Sequence, residues 1–339
     1  MRRERREERR GGFILMVVLV FILLLVGATA TFLRRASVDA AVIRHRDAAA
    51  EAEAAARGGV RLAITLLLED KLQEQTSGLA SDTAFDVWAR ASAMDLPFGE
   101  DVQLRLRIED AGARLNLNAM VDKGVAVKEA EIFLTAFFQR VIEEMGAHRG
   151  AYDAASLAEN LLDYLDADEV RQKGGSEDDA YASRTPPQRP ANRPLLSVDE
   201  LRQVEGFDAA FVDALRPYVT VFPYGRGGGI NLNTAPPHVL ALLFHGTAGQ
   251  FRFADEDTVR AILKAREQGE VICPPDASNP ICVAQGEVIE GTIFPPPTFA
   301  TNVFTVHSEA RVGEVRRTIE AVVDRSKPSE PQLLFWRVL

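Results

Sequence analysis

The sequence predicts an α+β protein in which a long N-terminal helix packs against a small antiparallel sheet and a helical domain is inserted into that sheet. The first observation is a run of 23 uncharged residues at 11–33, followed by a stretch rich in Ala, Glu, Leu and Arg. The second is strict alternation of apolar and polar residues at 101–109, 302–311 and 315–324, which indicates half-buried strands. The third is that about 190 residues of mainly helical pattern separate the first of these strands from the other two.

The apolar segment at 11–33 is long enough to cross a membrane, since as a helix it would extend roughly 35 Å. Six arginines and three glutamates precede it, and this net positive end is expected to stay cytoplasmic while the rest of the chain crosses over. On these residues alone three interpretations stay open. They are a plain membrane anchor, a secretory signal cleaved near Ala28-Thr29-Ala30, and a prepilin-type signal cleaved between Gly12 and Phe13.

The third interpretation depends on where the basic leader stops. It ends at Gly11-Gly12, before the apolar run, and this position resembles the site at which prepilin peptidase cuts a type IV pilin-like precursor. Such a cut removes residues 1–12 and leaves Phe13 as the new N-terminus of an intact helix. The fifth residue is then Val17, where most pilin-like subunits carry a glutamate. The K-type minor pseudopilins of the type II secretion system lack that glutamate, and Val17 marks a resemblance to them.

The stretch after Arg35 is dense in good helix formers and is expected to prolong the helix, with 13–33 in the membrane and 34–76 in the periplasm. Gly58-Gly59 is its predicted weak point, because a glycine costs about 1 kcal/mol in a helix interior. Residues 77–115 and 298–339 are assigned to the β domain. There the strands at 302–311 and 315–324 form a hairpin, and the last seven residues are expected to add a further strand.

The inserted helical domain is assigned to residues 116–297. Helices are predicted near 128–145 and 154–165, and a polar loop follows at 166–194. Ser197 and Glu200 have the spacing of a capping box at the start of a further helix. Two helix-hairpin-helix patterns are predicted after that, one at 201–219 and one formed by 230–243 with 257–269.

Two near-duplicate motifs, LNLNA at 115–119 and INLNTA at 230–235, occur in this domain. Short Asn and Thr side chains bind nearby backbone groups, so each motif is interpreted as the change from an extended segment to a capped helix. The functional alternative is DNA binding, because such motifs also resemble the helix-hairpin-helix modules of DNA-uptake proteins. The hairpin at 204–208, VEGFD, has two acids where phosphate binding needs cations.

Composition restricts the partners further. The formal net charge is -10, and loss of the leader would make it more negative, so nucleic-acid binding is disfavoured. The chain has two cysteines, Cys273 and Cys282, in a Pro-rich loop. In an exported domain this spacing is interpreted as one local disulfide.

The acidic stretch is the part of the sequence that is typical of a binding site. Two clusters of acids surround the turn sequence KGGS, and their carboxylates could supply the oxygen ligands that calcium needs. The spacing does not match an EF-hand loop, and such acidic runs are often only solvated. The first cluster contains Asp163, Asp166, Asp168 and Glu169, and the second contains Glu177, Asp178 and Asp179.

A resemblance to one family covers nearly the whole chain. The resemblance rests on the motifs LxDYLDAD at 161–168, GSEDDAY at 175–181, NRP at 192–194, SVDELxxVxG at 197–206 and INLNTAP at 230–236. In this order they resemble the K-type minor pseudopilins, with Tyr164 in place of the more familiar Trp and Ser176 in place of Ala. The resemblance implies a type IV pilin-like fold with a helix-hairpin-helix or SAM-like insertion. It also implies a cap on the pseudopilus made with I-type and J-type partners. It further implies calcium in the insertion, with the candidate ligands Asp163, Asp166, Asp168, Glu177, Asp178 and Asp179.

No enzymatic site is predicted. The histidines 45, 148, 238, 245 and 307 are scattered and are interpreted as surface or capping residues, and no nucleophile motif or Gly-rich phosphate loop accompanies them. The sequence thus predicts a single-pass inner-membrane pseudopilin of the K type. The rival hypotheses are a membrane-anchored DNA-uptake receptor and a periplasmic adaptor whose anchor is never processed.

Overall fold

A computed structural model describes residues 4–92, 94–97, 101–146, 152–225, 228–247, 249–277 and 279–339, of which residues 4–12 and 180 are described by their backbone alone. Residues 1–3 of the predicted leader and His148 lie outside the described residues.

The elements follow one another along the chain as helices, strands and three short 3-10 helices at Ala111–Ala113, Leu117–Met120 and Val198–Gln203. In chain order the helices and strands are α1 (Glu4–Ser77), α2 (Val87–Ala91), β1 (Asp95–Pro97), β2 (Val102–Asp110), β3 (Leu115–Asn116), β4 (Val121–Asp122), β5 (Val125–Ala126), α3 (Ala130–Met145), α4 (Ala154–Leu165), α5 (Asp178–Ala182), α6 (Ala209–Leu215), β6 (Val219–Thr220), α7 (Pro237–Leu240), β7 (Phe244–Thr247), β8 (Gln250–Phe253), α8 (Glu256–Glu267), β9 (Val271–Cys273), β10 (Cys282–Ala284), α9 (Gln285–Val288), β11 (Thr292–Phe294), β12 (Val303–Val312), β13 (Val315–Asp324) and β14 (Gln332–Val338).

The N-terminal helix α1 is one unbroken helix of 74 residues. Its first part is long and apolar enough to cross a membrane, and all its side chains from 13 to 39 are exposed. Farther along, one face packs against the sheet through a stripe of small and apolar residues, namely Ala52, Ala55, Ala56, Val60, Ala63 and Leu67. The prediction that a long helix continues beyond the apolar segment is confirmed.

The predicted weak point at Gly58-Gly59 is wrong, because α1 passes through both residues without a break. A Cβ atom on Gly59 would lie 2.2 Å from Ser308 Oγ and 2.9 Å from side-chain atoms of Leu104 and Leu106. Gly59 is therefore a point where the helix backbone approaches the sheet closely, and a side chain there has no room.

The sheet has five strands in the order β1-β2-β12-β13-β14, and all neighbouring strands are antiparallel. Strands β2, β12 and β13 confirm the three segments predicted from alternation, and β14 lies where a further strand was expected. Every second residue of β2, from Val102 to Ile108, is buried against α1. The α+β class predicted from the sequence is confirmed.

The inserted region begins after β2 and ends before β12. Helices α3 and α4 confirm two predicted helices, whereas the helix after Ser197 is of the 3-10 type, with Ser197 Oγ accepting the N–H of Glu200 at 3.2 Å. The second helix-hairpin-helix pattern is wrong, because β7 and β8 form a hairpin between α7 and α8. Small sheets therefore accompany the helices of the insertion. His245, interpreted above as a surface or capping residue, is 5% exposed and lies in β7.

The two parts of the chain have separate hydrophobic cores. One core is formed by residues between Leu115 and Phe294, and the other by α1, α2 and the five-stranded sheet. Asp110, the last residue of β2, joins the two parts, because its carboxylate accepts hydrogen bonds from Asn231 Nδ2 at 2.7 Å and Thr234 Oγ1 at 2.5 Å.

Candidate metal centre

Helix α4 brings two of the predicted acids to one place. Asp153 caps the start of the helix by accepting the N–H of Ala155 at 3.2 Å and the hydroxyl of Ser156 at 2.7 Å. The leucines on its inner face are buried in the core of the insertion. This packing fixes Asp163 in the last turn and Asp166 directly after the helix, with 6% and 2% exposure.

Glu177 reaches the same place from the far side of a tight loop. Residues Val170 and Ser176 form a β-bridge across the loop, and Gly174 and Gly175 take positive φ angles of 84° and 104° at its turn. Glu177 is 1% exposed. Oxygen atoms of Asp163, Asp166 and Glu177 all lie within 4.8 Å of one another.

Several oxygens of this cluster have no hydrogen-bond partner among the described residues. Both carboxylate oxygens of Glu177, Oδ1 of Asp166 and Oδ1 of Asn192 are buried and unpaired. Gln172 satisfies part of the cluster, since its backbone N–H donates to Asp163 at 3.0 Å and its side chain donates to Asp166 at 3.1 Å. Buried acceptors without donors are unfavourable unless a cation or water completes them.

The electrostatics of the cluster agree with this geometry. Burial, followed by the charges of Asp168 and Asp163, raises the pKa of Asp166 to about 6. Burial, followed by Asp166 and Asp163, raises the pKa of Glu177 to about 7. The pKa of Asp163 is also raised, chiefly by burial. Each carboxylate therefore resists ionisation beside the others, and a bound cation would reverse that effect.

The nearest basic side chains are engaged elsewhere. Arg171 forms an ion pair with Glu205, and Lys173 forms one with Glu159 at 2.5 Å. Arg171 still lowers the pKa of Asp163 somewhat through its charge, but among the described residues it makes no ion pair with the cluster.

Three of the six predicted ligands do not join the cluster. Asp168 is exposed and accepts the N–H of Val170 at 2.8 Å. Asp178 lies 3.8 Å from Arg189, and Asp179 is exposed in the first turn of α5. Sequence reasoning assigned no ligand role to Asn192, which has a positive φ of 46° and an unpaired side-chain oxygen.

The arrangement can hold a hard divalent cation. It offers carboxylate oxygens from Asp163, Asp166 and Glu177, and the Asn192 side chain, with its unpaired amide oxygen, lies beside Glu177. Such oxygen ligands fit calcium better than zinc or copper. These four residues would hold the ion.

A second group of acids, around the end of α1, is compensated by a cation of the chain itself. Arg325 is fully buried and forms ion pairs with Asp70 at 2.6 Å, Glu74 at 2.6 Å and Asp82 at 2.7 Å. Sequence reasoning missed this cluster, because its four members are spread over 256 positions and no local pattern connects them.

The other predicted sites occupy the following places. Phe13 and Val17 are exposed on the apolar part of α1, and the Gly12-Phe13 step lies within that helix. Cys273 and Cys282 are joined by a disulfide with an S–S distance of 2.08 Å and Cα atoms 5.5 Å apart, a separation that suits such a bond.

The turn considered for DNA binding presents acids in the structure as well. Glu205 pairs with Arg171, and Asp208 caps α6 by accepting the N–H of Phe211 at 2.8 Å. Both carboxylates are thus occupied in structural contacts, and the turn lacks the cations that a phosphate needs.

Comparisons with known proteins agree with the family resemblance. Residues 113–224 match the family model of the type II secretion system protein K. The chain is 32% identical over 174 residues to a putative type II secretion system protein K of Escherichia coli strain K12. This alignment covers 51% of the present chain and 52% of that relative. It is 34% identical to type II secretion system protein K of Pseudomonas aeruginosa, in an alignment that covers 58% of this chain and 56% of that relative. It is 31% identical to type II secretion system protein K of Klebsiella pneumoniae, in an alignment that covers 58% of this chain and 63% of that relative. The aligned part thus spans a little over half the length of these relatives.

The fold is also similar to a solved structure. A chain in the crystal structure of the GspK-GspI-GspJ complex from enterotoxigenic Escherichia coli matches with a TM-score of 0.59 and 21% identity, over 88% of this chain and 99% of that chain. The long helix, the antiparallel sheet and the insertion are therefore a fold already known. The resemblance to K-type proteins of the type II secretion system is confirmed.

Proposed function

We propose that the chain is a minor pseudopilin of the K type, a non-enzymatic subunit at the tip of the type II secretion pseudopilus that supports protein export across the outer membrane. One observation carries the proposal: the segment that matches the protein K family model, 113–224, stands as an insertion between strands of a sheet packed on a long, apolar N-terminal helix. The fold similarity over 88% of the chain supports it.

The proposed partners are I-type and J-type minor pseudopilins, because the similar solved chain belongs to a complex of GspK with GspI and GspJ. Other pseudopilins and the secretion platform of the inner membrane are proposed as further partners on the resemblance to K-type minor pseudopilins. The chain would cross the inner membrane once through α1, with a short cytoplasmic N-terminus and its bulk in the periplasm.

Two features of the chain suit a terminal position. The bulky insertion would block addition of a further subunit above it. Val17 is an apolar residue, 37% exposed on the membrane part of α1, and offers no carboxylate to the N-terminal amine of a neighbour.

Processing and secretion test the proposal together. In a strain that lacks the gene, the wild-type chain should restore secretion and should begin at Phe13 when its mass is measured. Gly12→Val should block cleavage by prepilin peptidase and secretion, whereas Gly11→Val, one residue away, serves as the matched control. Restored secretion by a chain that still begins at Met1 would support the unprocessed periplasmic adaptor instead.

The metal centre is proposed to bind calcium through Asp163, Asp166 and Glu177, with Asn192 as a fourth ligand. The support is the convergence of three buried carboxylates with four unpaired buried oxygens. Calcium would hold the loop at 167–177 against the end of α4. Its role would be to neutralise the carboxylates and not to take part in a reaction.

Calcium binding is tested on the full chain in detergent. An ion that binds only the folded state raises its free energy of unfolding by about 2.7 kcal/mol at a hundredfold excess over the dissociation constant. The melting temperature should therefore rise with calcium over chelator. The pair Asp166→Asn and Glu177→Gln should abolish the rise, while the pair Asp178→Asn and Asp179→Asn, outside the cluster, should retain it. No change in the wild-type chain would refute the site.

DNA uptake receives less support. The turn at 204–208 carries Glu205 and Asp208, and the formal charge of the chain is -10. Salt-sensitive binding of the chain to duplex DNA would favour this alternative.

A further inference from the structure

An open pocket lies between α1 and the end of the sheet that is nearest, along α1, to the membrane segment. Its cavity has a volume of about 990 Å³. Residues Arg44, His45 and Ala48 of α1 form one wall, and the ends of β1, β2, β12 and β13 form the other. Arg44 is roughly 16 Å along the helix from Leu33, the last residue of the segment expected in the membrane. The pocket is therefore on the membrane-facing end of the sheet.

The side of α1 that packs on the sheet continues toward the membrane without an acid. Steps of three or four residues, which keep to one side of a helix, lead back from Ala52 through Ala48, His45, Ala41 and Val38 to Arg34. Asp39 and Asp47 are not part of this line. Val38 is 54% exposed. A tilt of α1 toward this side would place apolar side chains and Arg34, and no carboxylate of this stretch, against the lipid.

Such a tilt brings the pocket to the level of the lipid headgroups. Residues 13–33 extend about 31 Å as a helix, close to the thickness of the hydrocarbon core, so Leu33 lies near the edge of the core. Headgroups add about 5 to 8 Å on each side, and membrane helices tilt by up to about 40°. At that tilt Arg44 lies about 12 Å above the core, and its long side chain can extend down to the headgroups.

The charges of the pocket are of both signs. Arg44 and Arg311 supply positive charge, and Asp101 and Glu314 supply negative charge. All four are exposed, and none has an ion pair within the part of the chain that the structure describes. The Arg311 Nε–H donates to the carbonyl of Gly313 at 2.8 Å, which holds this guanidinium at the turn between β12 and β13.

The positive group on α1 lies closer to the membrane than the acids. Gly59 faces Ser308 across the packed interface. From there the strand extends about 17 Å to Gly313, whereas the helix extends about 22 Å to Arg44. Asp101 lies near the level of Gly313, because the next residue, Val102, pairs with Val312. A ligand that enters from the membrane would therefore meet Arg44 before the two carboxylates.

We propose that the pocket binds the phosphoethanolamine headgroup of a membrane phospholipid. The phosphate, which is the group nearer the acyl chains, would contact Arg44 and Arg311, and the terminal ammonium would donate hydrogen bonds to Asp101 and Glu314. A headgroup with both charges matches a pocket with both charges, whereas a purely anionic headgroup would leave the two acids unmatched. The inference rests on the membrane crossing in the proposed function.

Photocross-linking of the full chain in nanodiscs tests the pocket. A photoreactive phenylalanine analogue replaces Val312 in the pocket, or, as a control, Val125, which is 68% exposed in the insertion. The nanodiscs contain phosphatidylcholine alone or with an equal fraction of phosphatidylethanolamine or phosphatidylglycerol, and mass spectrometry identifies lipid adducts. The yield of phosphatidylethanolamine adducts at 312 should exceed the yield of either other lipid about tenfold, and it should exceed the yield at 125 by a similar factor.

A pair of neutral substitutions tests the role of the acids. Asp101→Asn with Glu314→Gln should lower the yield of phosphatidylethanolamine adducts at 312 about tenfold, to the level of phosphatidylglycerol. Glu267→Gln with Asp276→Asn removes two exposed acids of the insertion and should leave the yield unchanged. Unequal melting temperatures would reveal a folding defect in the first pair, and the comparison of lipids in the otherwise unmutated chain then decides.

Three results would overturn the inference: equal adduct yields for the three lipids, a higher yield for phosphatidylglycerol, or a yield that the loss of Asp101 and Glu314 does not change. A chain that does not insert into nanodiscs would contradict the membrane crossing, and the inference would fail with it. A chain that inserts but forms no lipid adduct at 312 would contradict the inference alone.

Discussion

At the residue scale, the structure contains two buried groups of carboxylates that are compensated in different ways. Asp70, Glu74 and Asp82 receive hydrogen bonds from Arg325, so this group carries its own cation. Asp163, Asp166 and Glu177 have no ion pair with a basic side chain among the described residues. Burial raises the pKa of all three. The first group is therefore expected to stabilise the fold without an added ion, and the second to depend on one.

The first residue-scale prediction concerns Arg325. Arg325→Met should lower the free energy of unfolding by about 3 to 5 kcal/mol, because it leaves the buried carboxylates of Asp70 and Asp82 without their cation and Glu74 with Lys71 alone. Arg316→Met is the matched control, since Arg316 pairs with Glu309 at 3.6 Å but its side chain is 68% exposed, and surface pairs contribute about 0 to 1 kcal/mol. Urea unfolding measures both, and equal losses would contradict the assigned role of Arg325.

The second residue-scale prediction concerns pH in the presence of chelator. The pKa of Glu177 is raised from 4.5 to about 7, so the folded chain keeps a proton that the unfolded chain releases between these values. Stability should therefore be highest below about pH 4.5, fall as the pH rises toward about 7, and remain reduced above it. The part of the fall due to Glu177 should be about 3 kcal/mol, since each pH unit between the two pKa values corresponds to about 1.4 kcal/mol.

Variants separate this effect from other titrations. Glu177→Gln should remove the upper part of the fall, near pH 7, while Asp166, whose pKa is raised to about 6, keeps its own contribution at lower pH. The exposed Asp179→Asn should leave the fall unchanged. Saturating calcium should also remove the fall in the wild-type chain. A fall that persists fully in Glu177→Gln would assign it to other groups.

The sequence predicts the acids of the metal centre only in part. Asp163, Asp166 and Glu177 lie within 15 positions, so their clustering is visible in the sequence. Asp168 and Asp178 belong to the same run, yet the loop directs them outward. Asn192 and Arg325 act through contacts with residues far away in sequence, and a local pattern cannot reveal such contacts.

At the element scale, α1 and the sheet are predicted well because their patterns are long. Three strands of nine or ten residues repeat the alternation many times. The hairpin of β7 and β8 has strands of four residues, too few to distinguish from a loop, so the sequence predicts only a connection between two helices there.

The structural role of the duplicated Asn motifs also becomes clear only from the contacts between elements. Asn118 donates to the carbonyls of Leu195 at 3.0 Å and Val221 at 2.7 Å, and Asn233 donates to that of Ile272 at 2.8 Å. In each motif the preceding Asn accepts the backbone N–H of the second. The interpretation of local turn formation is correct for the first Asn, while the second Asn connects distant segments.

The element-scale prediction concerns the packing of α1 on the sheet. Gly59→Ala should lower the free energy of unfolding by about 1 to 3 kcal/mol through overlap with Ser308, Leu104 and Leu106. Helix propensity alone would give the opposite sign, a gain of about 1 kcal/mol. Thermal unfolding checks the sign. Ser308→Gly in the same chain should recover part of the loss, because it removes the nearest atom, and a stabilising Gly59→Ala would contradict the close approach.

At the scale of the whole molecule, two cores have to act as one unit. The carboxylate of Asp110 accepts three hydrogen bonds, from the N–H of Gly112 at 2.6 Å, Asn231 at 2.7 Å and Thr234 at 2.5 Å. It is buried, and it lies where the chain leaves the sheet for the insertion. We therefore expect Asp110 to couple the stability of the insertion, which contains the candidate metal centre, to that of the sheet and α1.

Aromatic residues of the chain allow the two parts to be observed separately. Both tryptophans, Trp88 and Trp336, lie in the part formed by the sheet and α1, while all five tyrosines lie in the insertion. Tryptophan fluorescence therefore follows the first part, and the near-ultraviolet circular dichroism of tyrosine follows mainly the second.

The whole-molecule prediction compares calcium with chelator in the wild-type chain and in Asp110→Ala. In the wild type, calcium should raise the unfolding midpoint reported by tryptophan, although the ion binds in the insertion, because coupled parts unfold together. Asp110→Ala leaves the buried side chain of Asn231 and the half-buried hydroxyl of Thr234 without their acceptor, at a cost of about 1 to 3 kcal/mol. In that variant calcium should raise the tyrosine midpoint alone, since the two cores then unfold as separate units. A tryptophan midpoint that still responds to calcium in Asp110→Ala would place the coupling in other contacts between the parts.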